Sequence, residues 1–220
     1  MKKKNESSEQ LNIQLFLLCM LAALLCRRLG KISSLRIICG MLRTMIYVGV
    51  YIGWGISIYK RVIQKSVRNV LIFIAELIIF WFVVRTTKYF FTMDNQIARY
   101  LWYSYYIPML FIPVAVLQAA FFLGKSEEYR LPKWLKGVYI PTAVLVLLVL
   151  SNDLHQLVFS FPVGSAWSDS HYTYGWGYYV VLVWEVVCAL TAFVLMIYKC
   201  RHSQKKKYLP LLGIGAAVLY

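Results

Sequence analysis

The stretch "AVLVLLVLSNDLHQLVF", Ala143 to Phe159, sets eight apolar residues directly against Ser151, Asn152, Asp153 and His155. Read alone, the polar half fits an active site, a metal site, a ligand rim or the water-facing end of a helix. The apolar half decides the fold. It is one of several continuous apolar blocks, without the strict periodicity of an amphipathic helix or a half-buried strand. Of the chain's 220 residues, 60% are hydrophobic and only 15% charged, whereas a soluble domain carries about 25% charged residues. Blocks of this kind are membrane spans, which need roughly 20 mostly apolar residues each.

Seven such blocks can be marked: 11–26, 44–59, 69–91, 100–124, 137–150, 177–198 and 208 onward. The expected fold class is an all-α integral membrane protein, a polytopic helical bundle with about seven candidate transmembrane helices, the last incomplete. Asn12 and Gln14 weaken the first block, and Arg27 and Arg28 follow it where a signal peptide would carry a small-residue cleavage site. It is read as an uncleaved span. The last block runs to Tyr220, and its thirteen residues rise about 20 Å as a helix against a hydrocarbon core about 30 Å thick. The chain is therefore expected to be a fragment that continues beyond Tyr220.

The net charge of +15 raises nucleic-acid binding. That reading is set aside, because Lys and Arg cluster in short runs between apolar blocks, as topology signals do. Loops 60–68, 125–136 and 199–207 together hold thirteen basic residues, while 85–99 holds three and 151–176 none. Basic loops favour the cytoplasm, so loop 151–176 is expected to be extracytoplasmic, with a bilayer as the main partner. The aromatic-rich runs "YLWYSYY" (100–106) and "YTYGWGYY" (172–179) fall on the same side, where Tyr and Trp favour the headgroup region. One stretch disagrees. Residues 27–43 carry Arg27, Arg28, Lys31, Arg36 and Arg43 on the side alternation makes external. Either the first block breaks the rule or this stretch is no simple loop.

Three charges lie well inside the spans, Glu76, Arg85 and Glu185, with Lys88 nearer an outer end. Intramembrane charges face a bundle interior or pair with one another, and at 1.5 Å rise per residue Arg85 and Glu185 share a similar depth. Two readings stand: an Arg85–Glu185 pair, or Arg85 reaching the headgroups beside Lys88. Gly49 and Gly53 form a G-x-x-x-G step suited to close helix packing, and Pro108 and Pro113 are expected to bend the fourth block.

Catalytic readings fail for want of partners. Ser151 and Ser160 lack a nucleophile context, and no phosphate-binding loop or C-x-x-C occurs. The "DLH" and "DSH" spacings of Asp153, His155, Asp169 and His171 are weak for zinc. No cofactor, no metal and no enzymatic activity are expected of this chain.

The order of features resembles the seven-helix N-terminal membrane region of bacterial sensor histidine kinases. There a span ends in an Asn-x-x-His-like element followed by an aromatic, then an outer loop closing with Tyr-Gly. Asn152, Leu154, His155, Leu157 and Phe159 fall on the first element, Tyr174 and Gly175 on the second, and Pro141 sits early in the preceding span. The resemblance covers roughly 44–220. It makes residues 1–43 a basic and apolar N-terminal extension with an extra span, and 44–220 a multi-helix sensor region cut short at its C-terminus. Gln156 departs from the family, where a second His often follows the first, and 27–43 has no recognised counterpart.

The resemblance implies signal transduction in a two-component system of the bacterial cell membrane. An unidentified extracytoplasmic ligand would meet a rim of Asn152, Asp153, His155, Trp167, Asp169, His171 and Tyr174. The signal would pass to a cytoplasmic output domain or response regulator, with a homodimer expected by analogy. A small polytopic transporter and a non-catalytic membrane scaffold subunit are the alternatives. A transporter would need internal symmetry and a polar mid-membrane site, and no clear repeat is visible.

Overall fold

The structure is a computed structural model that describes residues 2–30, 32, 35–90, 95–126, 128–162 and 171–200. Nine helices and one two-stranded hairpin are present among them: α1 (Lys2–Leu29), α2 (Arg36–Arg61), α3 (Lys65–Phe90), α4 (Asn95–Tyr103), α5 (Tyr106–Phe122), α6 (Lys133–Gly137), α7 (Tyr139–Leu150), α8 (Asn152–His155), β1 (Phe159–Ser160), β2 (Thr173–Tyr174) and α9 (Trp176–Cys200).

Five helical spans among the described residues are long and apolar enough to cross a membrane: Arg36–Arg61, Lys65–Tyr89, Gln96–Phe122, Lys133–Leu150 and Trp176–Lys199. They coincide, to within two residues at the C-terminal ends, with the five expected blocks from 44–59 to 177–198, and the protein is a multi-pass, all-α membrane protein. Block 11–26 lies within α1, and the block from 208 onward falls outside the described residues.

α5 is the central helix. It packs against α3, α7 and α9, and most of its residues are buried. α1 packs on α2 and α2 on α3, which extends the bundle to one side. The outward faces are apolar: on α9, Val183, Leu190 and Val194 are all exposed. A bilayer is the solvent in which such a surface is stable.

The fourth block is two helices rather than one, and the reason is Pro108. Proline lacks the N–H that would bond the carbonyl four residues back. The Ser104 carbonyl instead accepts from Ile107 N at 3.2 Å, while Tyr105 N bonds Trp102 O at 3.1 Å. This tighter turn separates α4 from α5. Pro113 sits inside α5 without ending it.

The basic stretch 27–43 is not a simple loop. Arg27 and Arg28 close the last turn of α1, and Arg36 and Arg43 lie in the first two turns of α2. The second span thus begins eight residues earlier than the apolar block suggested. Long basic side chains extend an α-helix past its apolar segment without cost to backbone geometry.

At the end of the bundle that carries the basic loops, Gln64 Nε2 donates to Ser126 O at 3.2 Å. There too, Lys199 Nζ donates to Ala120 O and Phe121 O at 2.9 and 2.7 Å. Those carbonyls lie in the last turn of α5, where helix C-terminal oxygens lack partners and a cation is favoured. The foot of α9 is thereby tied to the foot of α5.

Candidate functional site

The candidate site lies at the opposite end, where α7 stops and the chain returns to α9. Ser151 ends α7: its hydroxyl donates back to Leu147 O at 2.7 Å, a competition with the helix that serine makes readily. One further turn, α8, follows and ends at Gln156, whose φ of +50° is left-handed. That is the usual C-terminal geometry of a helix, here adopted by a residue with a side chain. The chain then turns into β1, which pairs antiparallel with β2, Phe159 opposite Tyr174 and Ser160 opposite Thr173.

Asn152 organises the turn. Its Oδ1 accepts from Val158 N and Phe159 N, each at 3.0 Å. Its Nδ2 donates to Phe159 O at 2.8 Å and to the Tyr103 hydroxyl at 3.1 Å. Both amide protons and both acceptor positions are used, and the residue is 0% exposed. Expected at the rim, Asn152 is instead a buried clamp beneath it. A side chain saturated by three backbone groups and the Tyr103 hydroxyl leaves nothing for a ligand.

Asp153 stands beside it, partly exposed. Tyr103 donates its hydroxyl to Asp153 Oδ1 at 2.8 Å, and Arg99 Nη2 pairs with Asp153 Oδ2 at 2.7 Å. Arg99 also lies over the Phe161 ring, 5.8 Å from its centroid. Its Nε is buried without an acceptor among the described residues. A single chain of polar contacts therefore runs Arg99–Asp153–Tyr103–Asn152–Phe159 and joins α4 to the hairpin.

His155 is half-buried. Its Nδ1 accepts from Leu157 N at 3.0 Å, and its Nε2 faces Leu148 O at 3.1 Å. The acceptor role of Nδ1 assigns the proton to Nε2, which donates to the carbonyl. His155 thus caps the end of α7 and braces the turn.

Around Phe159, itself 0% exposed, stand six other rings: Trp102 at 4.5 Å, Tyr172 at 5.4 Å, Tyr106 at 5.6 Å, Tyr178 at 6.0 Å, Tyr174 at 6.1 Å and Tyr103 at 6.2 Å between centroids. The aromatic runs were expected as a headgroup belt. Tyr100, Tyr174, Trp176 and Tyr179 are exposed as a belt requires, but Tyr103 and Tyr106 are buried. The short hairpin supplies a ring that fills the gap between α4, α5 and α9, so these tyrosines become core.

The glycines of "YGWG" fit the same turn. Gly175 N bonds Val158 O and Gly177 N bonds Leu157 O, each at 2.9 Å. A Cβ on Gly175 would stand 2.1 Å from Leu157 O, and one on Gly177 3.0 Å from the same atom. Only glycine lets the first turn of α9 approach this backbone so closely.

The remaining expected residues divide. His171 and Tyr174 are exposed at the hairpin, with Tyr174 stacked on Tyr178 at 4.1 Å. Trp167 and Asp169 lie outside the described residues. Glu76 is exposed on α3 and Glu185 half-buried on α9. No Arg85–Glu185 ion pair exists among the described residues, because α5 packs between α3 and α9. Arg85 lies instead toward α1 and α2, near Tyr89. Arg99, Trp102 and Tyr103 were missed by sequence reasoning. The available signal was the basic residue immediately before an aromatic run that opens a span.

The model of a protein family described as the N-terminal 7TM region of histidine kinase matches residues 37–220. No curated protein and no solved structure matches the chain. Both sequence elements that carried the resemblance fall inside that range and inside this one site. The chain belongs to the family of N-terminal seven-transmembrane regions of histidine kinases.

Proposed function

We propose that, as a member of this family, the chain is the stimulus-receiving part of a bacterial sensor histidine kinase-like receptor. Loop 151–176 faces the extracytoplasmic side, takes up a signal at its rim, and passes it through α9 to a cytoplasmic output domain. The chain itself performs no reaction; catalysis belongs to the output domain. The sidedness rests on the thirteen basic residues of 60–68, 125–136 and 199–207 in the sequence.

One observation carries the reading. The segment Leu157–Phe159 is bonded at once to α4, through Asn152 and Tyr103, and to the first turn of α9, through Gly175 and Gly177. A displacement of the hairpin therefore moves the head of α9 against α4. α9 runs unbroken to the other end of the bundle, where Lys199 holds it to α5. The part of the site open to solvent comprises His171 and Tyr174, which are exposed, and Asp153 and Arg99, which are partly exposed. A ligand biases such an equilibrium only by binding its two states unequally.

The test uses the full-length protein in membrane vesicles, reading phosphate transfer to its response regulator. Asp153→Asn removes the ionic half of the Arg99 contact, worth about 1–2 kcal/mol, or a roughly 5- to 30-fold shift in a two-state equilibrium. His155→Ala is expected to shift output in the same assay. Leu154→Ala, at an exposed position, is expected to change nothing. Normal output from Asp153→Asn, His155→Ala and a deletion of the loop, at normal membrane levels, refutes the receptor reading.

A further inference from the structure

Three of the four arginines that contradicted the positive-inside count, Arg27, Arg36 and Arg43, converge in space. A cavity of about 260 Å³ opens between α1, α2 and α3, at the same end of the bundle as the hairpin but separate from it. Its wall includes Arg27, Arg36, Arg43 and Arg85 and, among the described residues, contains no Asp or Glu. Among the described residues none of the four makes an ion pair with a carboxylate. The Thr44 and Thr86 hydroxyls, 2.7 Å apart, join α2 to α3 in the same wall.

This arrangement is unfavourable for an empty site. Four guanidinium-bearing side chains share one cavity wall, and like charges gathered in one place repel. Arg36 also sits in the first turn of α2, the positive end of that helix, which has no side-chain cap. The Thr44–Thr86 contact and the packing of α1 on α2 and α2 on α3 already join the helices. The groups do match a multiply charged oxyanion. Guanidinium offers forked donors that fit phosphate oxygens in pairs, and basic pockets between membrane helices hold phosphate headgroups by the same chemistry. A lone carboxylate would leave most of the positive charge uncompensated.

We propose that the cavity between α1, α2 and α3 is a binding site for a phosphate-bearing anion, gripped by Arg27, Arg36, Arg43 and Arg85. The site stands independently of the hairpin and of the receptor reading. It explains why 27–43 departs from the topology rule: these arginines serve a ligand rather than orientation. Two sources offer the same chemistry, a lipid headgroup at the membrane surface and a soluble phosphate compound.

The test is the thermal unfolding of the purified chain in two arms. One titrates inorganic pyrophosphate in neutral detergent at about 0.1 M salt, where charges are screened beyond about 10 Å. The other compares nanodiscs of phosphatidylcholine with nanodiscs containing phosphatidylglycerol. The proposal expects saturable stabilisation in at least one arm; a response to phosphatidylglycerol alone assigns a lipid headgroup, and a response to pyrophosphate assigns a soluble phosphate. Arg43→Gln with Arg85→Gln should weaken the response at least tenfold, while Lys133→Gln with Lys136→Gln, at the other end, should leave it intact. Without ligand, the arginine variant should melt at or above the wild-type temperature, because repulsion has been removed. Absence of stabilisation in both arms overturns the proposal, as does equal loss in the lysine variant. An arginine variant that fails to fold or melts lower also overturns it, since those groups would then hold the bundle together.

Discussion

Replacing Asn152 with alanine separates a buried clamp from a ligand contact. The substitution removes two acceptor interactions, from Val158 N and Phe159 N, and two donor interactions, to Phe159 O and Tyr103. The carbonyl and the hydroxyl each keep some hydrogen-bonding capacity; the two amides do not. Both residues are 0% exposed, so each amide loses its partner with no water at hand. A buried unsatisfied donor costs about 1–3 kcal/mol, so the two together cost roughly 2–6 kcal/mol. At 1.4 kcal/mol per factor of ten, opening of the turn rises by at least about 30-fold. Hydrogen exchange of the purified chain reads this directly at the amides of Val158 and Phe159. The reference is Leu154→Ala, two residues away and 88% exposed, which should exchange like the wild type. Equal protection of these two amides in Asn152→Ala and wild type would refute the clamp. An altered signal response with unchanged protection would return Asn152 to the rim.

Gly175→Ala places a methyl group 2.1 Å from Leu157 O, a backbone atom that cannot move alone. It should destabilise the chain by about 3 kcal/mol or more, with Gly177→Ala milder at about 1–2 kcal/mol; thermal unfolding in detergent ranks the two, and a reversed order would contradict the packing of α9 on this turn. Gln156→Gly relieves a side chain held at φ +50° and should leave stability unchanged or raise it by about 0.5–1 kcal/mol. A clear drop in melting temperature there would mean that the Gln156 side chain contributes more than its backbone strain costs.

Much of the site was legible as motif without being legible as mechanism. Asn152 and His155 stood out because polar residues follow eight apolar ones, and Tyr174 and Gly175 because they close the next loop. Their separation in sequence hid the purpose. Asn152 reaches Tyr103 across 49 positions, and Asp153 meets Arg99 across 54. Nothing local to "YLWYSYY" says that Tyr103 turns inward while Tyr100, one helical turn away, stays exposed. The break before α5 was foreseeable in kind from Pro108, but its place at Ser104–Tyr105 follows from which carbonyl lost its donor.

By itself the sequence determined the class of solvent, the principal spans, the basic end of the bundle and the family. These follow from local sums: the transfer free energy of some 20 residues, or the charge of one short loop, needs no knowledge of neighbours in space. Tertiary structure alone decided what the conspicuous residues do. It turned Asn152 from a rim residue into a buried clamp, withdrew the Arg85–Glu185 pair by packing α5 between their helices, and gathered Arg27, Arg36 and Arg43 around one cavity with Arg85. Each outcome depends on a partner far along the chain, and hydrogen bonds and charge pairs are short-ranged enough that only the packed fold can choose it.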